Sequence, residues 1–129
     1  MKATIVEFIE ARLAEDQRIA LDTDRSLVWD HGFDIALMSK YVEFDRDGPG
    51  VRVCHSFGYF NAEHVARHDP SRVLREVAFK RSFLVAYHAI DASASDSAWW
   101  FAARIEEPLY TMASAWSDHP DYRQEWHVG

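Results

Sequence analysis

Apolar residues recur at Ile5, Phe8, Ile9 and Leu13, while Glu7, Glu10, Arg12 and Glu15 fall mainly on other faces. Spacing of three and four predicts an amphipathic helix to about Asp22. Its start is marked by Thr4-Ile5-Val6-Glu7, a capping box in which hydroxyl and carboxylate satisfy amides that the first turn leaves open. A second stripe, Val73, Leu74, Val77, Leu84 and His88, predicts a central helix from Pro70 to about Ile90, with Asp69 as N-cap and Pro70 at the first helical position. Asn61 opens a shorter helix through about His68. A third stripe, Phe101, Ile105, Leu109, Met112 and Trp116, predicts a last helix from near Ser97, which Pro108 should kink by removing an amide donor.

Between the first two helices the period changes. Leu27-Val28-Trp29 is a short apolar run, and Tyr41-Val42-Glu43-Phe44 and Val51-Arg52-Val53-Cys54 flank Gly48-Pro49-Gly50, which reads as a β-hairpin. Val51, Val53, His55 and Phe57 would share one strand face, expected to point inward. Residues 91–97 are small and polar, a loop between helices, and residues 118–129 form an irregular tail packed on the domain. The expected class is therefore α+β: a mostly helical small domain, three to four helices packed with a short antiparallel β-hairpin or small sheet. Residues 1–129 are read as one domain, without internal repeats.

Composition narrows the picture. The chain has 129 residues, 48% hydrophobic and 27% charged, enough apolar material for one core and too little polar sequence for long disorder. No run has the ~18 apolar residues that a membrane span needs, and no basic stretch leads into an apolar signal segment. Cys54 is the only cysteine, so no internal disulfide can form, and a reducing, cytoplasmic setting is expected. The net charge of −7 repels a phosphate backbone and argues against direct nucleic-acid binding.

Some residues carry potential chemistry. His64 and His68 stand four apart on a helix, within reach of one metal ion, with Glu63 or Asp69 as further candidates. The segment lacks the glutamate that H-E-x-x-H places between its histidines, so zinc is a partial signature and no cofactor motif is complete. The bland reading gives both histidines to the carbonyls at the helix end. Arg67, Arg72 and Arg75 would pair with nearby acids or grip an anion. His88, on the apolar stripe, is expected as a hydrogen-bonded core histidine, with a ligand role as the alternative. Cys54 beside His55 is read as a buried, inert thiol, because neighbours in a strand face opposite ways. His119, Tyr122 and Trp126 either pin the tail or form a recognition surface. Trp99, Trp100 and Phe101 are consecutive and sweep some 200° of a helix, so at least one should face away from its own core, as at an interface.

Three stretches resemble one family. They are Val6-Glu7-Phe8-Ile9-Glu10-Ala11-Arg12-Leu13 at the start, the central run from Ala62 through Glu63-His64-Val65-Ala66-Arg67-His68-Asp69-Pro70 to Lys80-Arg81, and the closing Asp118-His119-Pro120-Asp121-Tyr122-Arg123-Gln124-Glu125-Trp126. In that order they are similar to an uncharacterised actinobacterial and actinophage family, domain of unknown function 6221. The resemblance implies a link to phages or mobile elements and supplies no reaction. Many members carry a cysteine cluster that suggests zinc. Residues 91–100 here contain no cysteine, so that site does not carry over, and His88 is the one residue near where a ligand would be expected.

These observations converge on a non-enzymatic accessory or regulatory protein acting by protein-protein contact, with Trp99, Trp100 and Phe101 in the interface and a homodimer as one form of it. The alternatives are a small metal-binding protein or metal-dependent hydrolase using His64 and His68, and an acidic inhibitor of a nucleic-acid enzyme.

Overall fold

The computed structural model describes residues 3–23, 29–34, 39–44, 51–57, 61–92 and 96–127, with the backbone alone described for the strands and for Asn61, Asp96, Ala98, Trp99 and Ala102. The elements run α1 (Ile5–Leu21), β1 (Asp30–Asp34), β2 (Ser39–Phe44), β3 (Val51–Phe57), α2 (Asn61–Arg67), α3 (Pro70–Asp91) and α4 (Asp96–Ala113). Two 3-10 turns follow, Ser114–Trp116 and Gln124–Trp126. The chain divides into two compact units, Met1–Glu15 with Val77–Gly129, and Asp16–Glu76.

The first unit is helical among its described residues. Its entry is the capping box: the Thr4 amide donates to Glu7 Oε2 at 2.8 Å and the Glu7 amide donates to Thr4 Oγ1 at 3.2 Å, so two amides that α1 cannot satisfy find partners. Val6, Ile9 and Leu13 then face inward, joined by Phe8, by Val77 and Leu84 of α3, by Leu109 and Ala113 of α4, and by Tyr122 and Trp126. Ile9, Leu13 and Leu109 are fully buried, each contributing roughly 1.5–3 kcal/mol through the apolar surface removed from water. Helix α4 continues through Pro108 rather than ending there. Pro108 lies on the exposed side, where water can satisfy the carbonyl that lacks its amide partner.

In the second unit, Asp69 fixes the start of α3. Its Oδ1 accepts from the Arg72 amide at 2.9 Å and its Oδ2 from the Trp29 amide at 3.0 Å. One buried carboxylate thereby caps a helix and holds the segment entering β1. The strands form an antiparallel sheet in the order β1-β2-β3, with the β2-β3 register shifting on both sides of Val42. Helix α2 runs alongside β1 and β2, and Ala62 and Ala66 are buried against Trp29 and Val65.

The α+β expectation, helices packed on one hairpin or small sheet, is corrected. Every side chain shown as buried belongs to a helix, to Asp69 at the cap of α3, or to the C-terminal segment. The described core is thus that of a helical small domain with four α-helices, and the strands enter the description as backbone ladders. The helices can build this core because α1, α3 and α4 each offer apolar positions three, four or seven apart. The inward valine face of β3, the inert thiol of Cys54, the Leu27-Val28 run, the Gly48-Pro49-Gly50 turn and the loop over 93–95 lie outside the described residues or side chains.

Candidate functional site

The outward face of α4 carries large aromatic and charged side chains exposed to water. At about 100° per residue, Trp100, Arg104, Glu107 and Thr111 stand at steps of four, three and four and share one side of the helix. All four are exposed. Leu109 and Ala113, buried almost completely, hold the opposite side. Trp100 is 50% exposed and the adjacent Phe101 52%, and their rings meet edge to face at 5.2 Å. The Arg104 guanidinium sits 4.9 Å over the Trp100 ring, a cation-π contact that orients both side chains.

A groove of about 580 Å³ continues this face, lined by Phe79 and Lys80 of α3 and by Arg104, Glu107, Pro108, Thr111 and Met112 of α4. Phe79 is 70% exposed, and the Lys80 ammonium lies 5.2 Å over Trp116. Lys80 and Arg104 are therefore held by aromatic rings, and among the described residues neither forms an ion pair. The expectation that Phe101 leads the core-facing stripe of α4 is corrected: with Leu109 at the centre of the buried side, Phe101 falls beyond its edge. Trp99 lies in α4, its side chain outside those described. The sequence reading misses Phe79, Arg104 and Glu107; the four-three-four spacing from Trp100 to Thr111 reaches Arg104 and Glu107, whereas Phe79 comes from α3.

On the same helix, Tyr110 donates a hydrogen bond to Glu106 at 3.1 Å. That bond, with lesser contributions from burial and nearby charge, raises the Tyr110 pKa. Tyr87 on α3 is raised chiefly by burial, then by Asp91 and Glu106.

His64 and His68 are engaged on their own helix. The rings of His64 and His68 lie with centroids 4.3 Å apart and planes tilted by 35°, and His68 Nδ1 lies 2.8 Å from the His64 carbonyl. A carbonyl can only accept, so Nδ1 bears the proton and the ring serves the helix end. The proposed companions are engaged elsewhere: Glu63 pairs with Arg67 at 3.6 Å, and both Asp69 oxygens accept backbone amides. Among the described residues no group of three or more His, Cys, Asp or Glu is placed to hold a metal ion. His88, expected in the core, is instead exposed, with Nε2 3.6 Å from Glu10 Oε1. It sits in the last turn of α3, where the apolar stripe has run past its buried neighbours. Arg72 pairs with Glu76 at 2.8 Å and Arg75 donates to Ser71 Oγ at 2.6 Å, so the three arginines hold partners on their own helices.

The closing segment meets α1. Phe8 packs against His119, Tyr122 and Trp126, with centroids 5.8, 6.0 and 5.1 Å away. Arg12 contacts both His119 Nε2 and Glu15. Arg123 donates to the Ala3 carbonyl and lies 5.1 Å over Trp126. Arg12 Nε and the Tyr122 hydroxyl are buried without a hydrogen-bond partner among the described residues.

No helix among the described residues is long and apolar enough to cross a membrane. In comparisons with known proteins, the model of a family of unknown function (DUF6221) matches residues 2–128. No curated protein and no solved structure matches the chain.

Proposed function

The chain belongs to that family of unknown function, DUF6221, and from this premise we propose that it is a non-enzymatic accessory or regulatory protein that acts by protein-protein contact through the outward face of α4. The observation that carries this reading is the half-exposed pair Trp100 and Phe101, placed away from the buried side of their own helix. Two large aromatics left in water lose apolar burial at roughly 25 cal/mol per Å², and a partner that covers them recovers it. Tryptophan and arginine together are the residue types that dominate contact energies once water is excluded. Arg104 over Trp100 and Lys80 over Trp116, neither ion-paired among the described residues, add positive charge beside an apolar groove, which favours a partner surface that brings a carboxylate.

The test is affinity capture from native extract at low and moderate salt, comparing wild type with Trp100→Ala. The expected result is one stoichiometric protein, a different species or an untagged copy of the chain, retained by wild type and lost by the variant. Equal retention by both, or no retained protein at either salt concentration, overturns the reading.

A further inference from the structure

The occupant of this face can be argued from the order of its residues. Trp100, Arg104, Glu107 and Thr111 alternate in character along one exposed line of α4, with one cation and one anion three residues apart at its centre. In an antiparallel helix pair related by a twofold axis, residues equidistant from the axis face each other, and each contact occurs twice. With the axis passing midway between Arg104 and Glu107, the Arg104 guanidinium of each copy meets the Glu107 carboxylate of the other. Trp100 then lies level with Thr111 of the second copy, about 8 Å from the centre at 1.5 Å per residue. The stripe is its own complement in that one arrangement.

We propose that the outward face of α4 is a homodimer interface, in which two copies pair antiparallel through reciprocal Arg104-Glu107 contacts with Trp100 and Phe101 covering them on either side. This rests on the contact-surface reading above and names its partner as a second copy of this chain. Three observations support it. Arg104 and Glu107 are exposed, and neither forms an ion pair among the described residues, although their spacing on one helix permits one. Arg104 is already oriented by the Trp100 ring at 4.9 Å, so less side-chain freedom is lost when it meets a carboxylate. The four-residue face is neutral in sum, so the net charge of −7, which repels two copies elsewhere, does not oppose contact there. Pro108 and Phe79 beside the line extend the apolar area available to the second copy.

Charge exchange tests the pairing directly. Sedimentation equilibrium is run across a range of protein concentrations on wild type, Arg104→Glu, Glu107→Arg and the double exchange, with thermal unfolding of each to show that these exposed substitutions leave the fold intact. Wild type is expected to dimerise. Each single reversal sets like charges face to face twice and should weaken the dimer about tenfold or more, and the double exchange should recover most of that loss. A monomeric wild type, a dimer indifferent to the single reversals, or a double exchange no tighter than the singles overturns the proposal. Should wild type be monomeric while Trp100→Ala still loses a captured protein of another kind, the self-pairing falls and the contact-surface reading stands.

Discussion

Two aromatic clusters of the helical unit make opposite use of the same residue types. Around Phe8, the rings of Tyr122 and Trp126 are buried, 8% and 5% exposed, and in contact at 5.8 Å, so the chain supplies its own partner. At Trp100 and Phe101 the rings touch each other, and Arg104 lies over Trp100, yet about half of each aromatic remains in water. The difference lies in what stands opposite. The closing segment brings its aromatics onto α1, beside the buried Val6 and Ile9, whereas Trp100 projects from α4 on the side away from Leu109. An aromatic residue is therefore evidence for a core or for an interface only after its neighbours are known.

The largest effect that separates the clusters should come from Trp126→Ala. Removing a buried indole from its packing against Phe8 and Tyr122 should cost about 3–5 kcal/mol in urea unfolding. A loss below about 1 kcal/mol would show that the closing segment contributes little to the core. Next is Tyr122→Phe. The hydroxyl is buried and has no partner among the described residues, and such a group carries an uncompensated desolvation cost of about 1–3 kcal/mol. The variant should gain roughly 1 kcal/mol in the same assay, and a comparable loss would mean that the hydroxyl is hydrogen-bonded in solution. Smallest should be the effect of Trp100→Ala on the isolated chain, no more than about 0.5–1 kcal/mol, since it removes one exposed cation-π contact and no core packing.

Local signals were the legible part of the fold. The Thr4-Glu7 box and the Asp69-Pro70 start could be read because both partners lie within three residues and the hydrogen bonds are those that a helix end demands. Strand β1 could not: Asp30-His31-Gly32-Phe33-Asp34 has no β-branched residue and includes a glycine, and it joins the sheet through its backbone ladder to β2. His88 kept the spacing of a buried stripe, but spacing says which side a residue takes and nothing of how far along the helix the cover extends. In the site, angular crowding picks out the triplet Trp99, Trp100 and Phe101 and not which of the three faces water. Arg104 and Glu107 became candidates once Leu109 and Ala113 were seen to take the opposite side. That Phe8 receives Tyr122 and Trp126, more than a hundred residues away in the chain, required the fold.

The most direct test of the contrast is the urea unfolding midpoint of wild type, Trp100→Ala and Trp126→Ala as protein concentration rises. A partner bound to the native state shifts the midpoint by mass action. Wild type should therefore become more stable at higher concentration, Trp126→Ala should do so from a much lower starting point, and Trp100→Ala should begin near wild type and not respond. A Trp100→Ala midpoint as low as that of Trp126→Ala at every concentration would contradict the account, because it would place Trp100 in the core.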